Sequence, residues 1–168
     1  SSAVDKLIDD EAIIPNYTSE QRLHIQKELA RLDPNFQFNP DASDKDIFRA
    51  ANHLELYMMK EELAALDPQY VFDPKDPNTD FNAAIGRLSN LKIKAEIANL
   101  DPNYTYDVND ERAADAAGIY HNGLMIRKEL APLDPDYRFD PKDSESTRVA
   151  EQYLERLKAE RGNGTGSK

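Results

Sequence analysis

Oxygen-bearing side chains recur along this chain at spacings that suit a hard cation. The stretch DPNYTYDVNDE, residues 101–111, sets oxygens at Asp101, Asn103, Thr105, Asp107, Asn109 and Glu111. Calcium gathers about six to eight such oxygens around one point. Asp101, Asn103, Asp107 and Asn109 are therefore the candidate metal ligands. An EF-hand needs Gly at its sixth position and Glu at its twelfth; here those are Tyr106 and Arg112. Pro74 and Pro141 stiffen two of the corresponding loops. The competing reading is structural: the first Asp starts a turn, the second precedes a Pro, and the last caps a helix.

Other chemistry-bearing residues are sparse. His24 has Glu20 and Glu28 one helical turn away on either side, a spacing that can bind metal and that a solvated helix face also produces. His24, Met58 and Met125 fall in one repeat column, which Lys92 breaks. No nucleophile elbow, phosphate-binding loop, dinucleotide fingerprint or H-E-x-x-H helix occurs. The chain has no Cys, which removes disulfides, thiolate nucleophiles and Cys-ligated metals. The expectation is a non-enzyme without a cofactor.

A column of glutamates is less ordinary. Glu28, Glu62, Glu96 and Glu129 each sit in the last turn of a helix-like segment. The helix dipole disfavours an anion there by about 0.3–1 kcal/mol. Helix propensity and solvent explain the column in one reading. In the other, each Glu accepts a hydrogen bond from a neighbouring arm, from a backbone N–H or a Tyr hydroxyl.

The elements that position these residues come from a repeat. Leu-Asp-Pro occurs at Leu32, Leu66, Leu100 and Leu133, with spacings of 34, 34 and 33 residues. The full unit is E-[LI]-A-x-L-D-P-x-[FY]-x-[FY]-[DN], with motif copies at 32–39, 66–73, 100–107 and 133–140. A fainter copy at Ile14-Pro15-Asn16-Tyr17-Thr18 makes the first repeat truncated. Helices are expected over about 19–32, 44–66, 79–100, 110–133 and 144–161. Candidate caps are Thr18 or Ser19, Ser43 or Asp44, Asn78 or Thr79, Asp110, and Asp143 or Ser144. Pro34, Pro68, Pro102 and Pro135 stop the first four, because the residue before Pro is pushed from helical geometry. A Gly-rich tail, 162–168, stops the last and reads as flexible or partner-bound. Asn122-Gly123 marks a candidate kink or break.

Two apolar stripes run along these segments. One is Ile25/Leu29/Leu32, Met59/Leu63/Leu66, Ile93/Ile97/Leu100 and Ile126/Leu130/Leu133. The other is Leu54/Tyr57, Leu88/Leu91/Ala95/Ala98 and, in part, Leu124/Ala131. They lie on nearly opposite sides, as in a helix packed between two neighbours. Ala50-Ala51, Ala83-Ala84 and Ala116-Ala117 allow close approach of the N-terminal halves.

Nine of the fourteen aromatic residues lie in motif copies, counting Tyr17. In the pairs Phe36/Phe38, Tyr70/Phe72, Tyr104/Tyr106 and Tyr137/Phe139 the period of two points both rings the same way from an extended chain. The connection is thus expected to lie as an arm over the helices, burying rings worth about 1.5–3 kcal/mol each. Ten extended residues reach about as far as a 22-residue helix, roughly 33 Å. A solenoid-like stack of parallel helices and an up-down bundle both satisfy that length.

The 34-residue period and the Leu-Asp-Pro-Asn phrase resemble tetratricopeptide repeats. The resemblance ends at the phrase: the family's Leu-Gly pair falls on Asp44 or on Pro77-Asn78, and its small and aromatic positions on Leu56, Asn90, Lys60 and Lys94. It implies only that Leu-Asp-Pro ends a helix and turns the chain.

The reading is an all-α array of about five helices, one domain over 1–161, built from four helix-plus-arm repeats. A net charge of -11 argues against a nucleic-acid surface and against an anionic membrane surface. No apolar run approaches the ~20 residues of a membrane span, and SSAVDKLIDDEA holds no signal-peptide core. Sequons at Asn16, Asn103 and Asn163 tilt weakly towards secretion. The expected function is protein–protein interaction or self-assembly as a structural subunit, with copies of itself among the candidate partners. The alternative is an acidic calcium- or cation-binding module.

Overall fold

The computed structural model describes residues 13–165. Five helices and no strand are found among them: α1 (Ser19–Leu32), α2 (Asp44–Leu66), α3 (Phe81–Leu100), α4 (Glu111–Leu130) and α5 (Ser144–Thr165). None is long and apolar enough to cross a membrane among the described residues. The chain divides into two compact units, one ending at Leu88 and the other starting at Ser89, so the boundary falls within α3.

Caps start the helices. Thr18 forms a reciprocal capping box with Gln21, and Ser43 accepts from the Asp46 N–H. Asp110 accepts from the N–H groups of Arg112 and Ala113, and Asp143 from that of Ser146. The cap of α3 is Asp80, which accepts from the Ala83 N–H at 3.0 Å, and not Asn78 or Thr79. An extra turn explains the shift: Asp76 takes the N–H groups of Asn78 and Thr79, delaying the helix.

The helix ends differ from expectation at two places. α4 stops at Leu130 rather than 133, because Pro132 lacks an N–H and its ring would meet the carbonyl four residues back. α5 continues to Thr165 instead of stopping at 161, so Gly162 is helical and only 166–168 of the expected tail lie outside the described residues. α4 runs without a break through Asn122-Gly123.

Within each unit the helices run parallel. In the first, Arg22 near the start of α1 pairs with Asp44 at the start of α2 at 2.8 Å, while Arg31 at the end of α1 pairs with Glu61 late in α2 at 2.7 Å. In the second, Ile126 and Leu130 of α4 pack on Ala150 and Leu154 of α5, and Glu129 reaches Lys158 further along at 3.2 Å. The up-down alternative is therefore excluded for these pairs. Each arm must return the chain along its helix, as its length allows.

The two-stripe pattern is realised in α4. Ala117, Tyr120 and Leu124 pack with Ile97 of α3, while Ile126 and Leu130 pack with α5. Each later helix buries one alanine: Ala50, Ala84, Ala117 and Ala150. In the first unit Ile25 and Leu29 meet Ile47, Ala50 and Leu54 beneath Tyr17, Phe36 and Phe38. Leu66 and Leu100, which close the first stripe, remain 42% and 40% exposed because each helix ends there.

Candidate interaction site: the Asp-Pro clasps

Every arm begins with the same local chemistry. The N–H of Asp33, Asp67, Asp101 and Asp134 closes the preceding helix on the carbonyl four residues back, at 2.7–2.8 Å. The carbonyl of each Asp then accepts from the N–H three residues on, that of Phe36, Tyr70, Tyr104 or Tyr137, at 3.0–3.2 Å. This is a β-turn with Asp first and Pro second, the positions those residues favour. Pro34, Pro68, Pro102 and Pro135 are accordingly exposed at the turn.

A second turn ends each arm. Asn39, Asp73, Asp107 and Asp140 accept on their carbonyls from Ala42, Asp76, Asp110 and Asp143 at 3.1–3.2 Å. Their side chains accept from the N–H two residues on, at 2.9–3.0 Å. These side-chain turns let a short polar residue stand in for backbone.

The remaining oxygen of the first Asp holds the next helix. Asp33 Oδ2 lies 2.8 Å from His53 Nε2, Asp67 Oδ2 accepts from Arg87 Nε at 3.2 Å, Asp101 Oδ2 from the Tyr120 hydroxyl at 2.7 Å, and Asp134 Oδ2 from the Tyr153 hydroxyl at 2.5 Å. His53, Arg87, Tyr120 and Tyr153 occupy one column, each three residues after the buried alanine. These donors escaped the sequence reading, although the Leu-Asp-Pro alignment places them 19 or 20 residues after the Asp. Their shared property is a long side chain with a donor at its tip.

Rings complete the clasp. Phe36 stacks on His53 at 4.2 Å between centroids and Tyr137 on Tyr153 at 4.7 Å, while Tyr104 lies tilted against Tyr120 at 4.6 Å. Tyr70 has the Arg87 guanidinium over its face at 5.4 Å. The second ring of each pair goes deeper or alongside: Phe38 joins the first core, Phe72 meets Phe81 edge-on, Tyr106 donates to the Asn90 carbonyl, and Phe139 packs on α4 and α5. Lysines of the following arm then reach two of the clasps. Lys142 lies 5.6 Å from the Tyr104 ring and 5.2 Å from that of Tyr120, and Lys75 stands 3.9 Å from Asp33 beside His53.

The electrostatics follow from these partners. Burial would raise the Asp33 carboxyl, but the His53 hydrogen bond and the Lys75 charge together hold it below the usual range. The Arg87 hydrogen bond lowers Asp67. Burial, then the Asp101 carboxylate, raises the Tyr120 hydroxyl; the hydrogen bond to Asp134 raises that of Tyr153.

The glutamate column has helix partners instead of arm partners where its bonds are seen. Glu28 accepts from Arg31, Glu96 meets His121 of α4, and Glu129 meets Lys158 of α5. Glu62 is half-buried in α2. Asp101 takes the Asn103 N–H and the Tyr120 hydroxyl, while Asp107 takes the Asn109 N–H in the other turn. Among the described residues no group of three or more His, Asp or Glu is arranged around a cation.

No protein-family model, curated protein or solved structure matches this chain.

Proposed function

We propose that the chain is a non-enzymatic helical-repeat protein that serves in protein–protein interaction or as a self-assembling structural subunit. The observation that carries this reading is the fourfold clasp: the same Asp, donor and ring positions recur, and in each copy they join an arm to a helix. Side chains suited to chemistry are engaged in holding repeats together. Large apolar side chains face outwards between them, with Val71 88% and Leu23 59% exposed.

The cation-binding alternative rests on the acidic arms, whose oxygens already accept backbone N–H groups. Calorimetry with calcium, run beside sedimentation over a range of protein concentrations, tests the two. The proposal expects negligible calcium heat and either concentration-dependent growth without an ion or a stable complex with a protein partner. Saturable calcium heat with a rise in melting temperature would overturn it in favour of cation binding.

A further inference from the structure

One cavity of the second unit gathers two cations that have no carboxylate partner. Arg127, in the last turn of α4, and Arg138, in the arm that follows, both line a cavity of about 230 Å³. Leu130, Tyr137 and Phe139 form apolar walls of the same cavity. We propose that it binds a small carboxylic acid with an apolar body, the carboxylate held between the two guanidiniums. This goes beyond the interaction reading above and does not depend on it.

Pairing elsewhere in the chain makes these arginines unusual. Acidic residues outnumber Lys and Arg by 32 to 21. Arg22, Arg31, Arg87 and Arg148 each meet a carboxylate. Among the described residues Arg127 and Arg138 meet none. Arg138 Nη1 donates to the carbonyls of Pro135 and Tyr137 at 2.7 and 3.3 Å. Those bonds hold the guanidinium in place and leave Nε and Nη2 for a ligand.

The repeat shows that the clasp does not require them. Six residues before the last leucine of each motif the column reads Gln26, Lys60, Lys94 and Arg127. Lys60 and Lys94 lie over the rings of Tyr57 and Tyr106. Five residues after that leucine the column reads Gln37, Val71, Thr105 and Arg138. The fourth repeat alone has a cation at both positions. The helix dipole favours a cation at Arg127 and gives no reason for Arg138. Two like charges on one cavity repel, and an anion between them removes that cost.

The walls define the rest of the ligand. Leu130 is buried, and Tyr137 and Phe139 are half-buried. Asp134 also lines the cavity, but its oxygens accept from the Asp136 N–H and the Tyr153 hydroxyl, and it pairs with neither arginine. A guanidinium meets a carboxylate through two parallel hydrogen bonds. The volume falls below the roughly 300–1,000 Å³ of drug-sized sites, so the ligand is small. Every wall belongs to residues 127–139, and α4 itself is packed by Ile97 of α3 and by Ala150 and Leu154 of α5.

The test titrates the full isotope-labelled chain with benzoate at constant ionic strength, beside acetate, inorganic phosphate and chloride. Saturable benzoate shifts are expected at the Nε–H groups of Arg127 and Arg138 and the Leu130 methyls. Acetate should bind more weakly for want of a ring, and chloride should not saturate. Arg127→Gln and Arg138→Gln should each weaken benzoate about two- to fivefold, the scale of an exposed ion pair. Lys128→Gln removes the same charge from the next residue, which lines a different groove, and should leave affinity unchanged. Benzoate shifts that do not saturate, or that Lys128→Gln weakens equally, would overturn the proposal. Phosphate binding as tight as benzoate would overturn the apolar body. Self-association in sedimentation that Arg127→Gln and Arg138→Gln both abolish would overturn the small acid in favour of a carboxylate from a second copy.

Discussion

The Tyr120 hydroxyl donates to the Asp101 carboxylate at 2.7 Å, across 19 residues of sequence. That bond ties the end of α3 to the middle of α4, and Tyr104 closes over it. Tyr120 is 6% exposed, so removing its hydroxyl leaves a carboxylate oxygen without its donor. Tyr120→Phe should cost about 1.5–3 kcal/mol, the range for a hydrogen bond to a charged group. Denaturant unfolding of the two proteins checks this.

The clasps should also set the pH range of stability, with opposite signs in different repeats. Tyr120 and Tyr153 have raised hydroxyl values in the folded chain. Their contribution is complete below the ordinary tyrosine value of about 10 and is lost as pH rises through the folded values. Asp67 is lowered by Arg87, so its contribution is present above the ordinary carboxylate value of about 3.9 and is lost as pH falls through the folded one. Melting temperatures recorded across the pH range should fall at both ends. The double substitution Tyr120→Phe with Tyr153→Phe should make the alkaline fall shallower.

Two glycines of α4 should respond in opposite directions to the same change. Gly118 has nothing within 4 Å of an added Cβ, so Gly118→Ala should stabilise by up to about 1 kcal/mol through helix propensity. At Gly123 the new carbon would stand 2.6 Å from the Pro141 Cα, and backbone must move. Gly123→Ala should destabilise by about 1–3 kcal/mol, the usual cost of overpacking. Thermal melts of the two variants decide the signs.

Much of this architecture was legible in the sequence because Leu-Asp-Pro states its chemistry locally. Proline stops a helix wherever it stands, and Thr18, Ser43 and Asp110 cap because their side chains reach the next N–H groups. Gly123 misled, since its low helix propensity suggested a break while its missing side chain admits Pro141. The α3 cap was ambiguous because Asp76, Asn78, Thr79 and Asp80 are all capable of starting a turn. Parallel packing was hidden because an arm of that length fits either helix direction. The clasp donors were hidden for a chemical reason: imidazole, guanidinium and phenol look unrelated until one asks which side chains can reach a carboxylate from mid-helix.

The glutamate column should prove less important than the aspartate column. Glu96 is half exposed beside His121, and surface pairs of this kind contribute about 0–1 kcal/mol. Glu96→Gln should therefore shift the unfolding free energy by less than about 1 kcal/mol. A larger loss in denaturant unfolding would mean that Glu96 holds more than a helix side chain.

The central claim is that Asp and donor act as one unit joining arm to helix, and a double-mutant cycle on Asp101→Ala and Tyr120→Phe tests it most directly. Partners in one hydrogen bond are non-additive, whereas independent sites add within about 0.3–0.5 kcal/mol. The account predicts that once Asp101 is removed, Tyr120→Phe costs little more, leaving a coupling of about 1–2 kcal/mol. Two full, additive losses would contradict it.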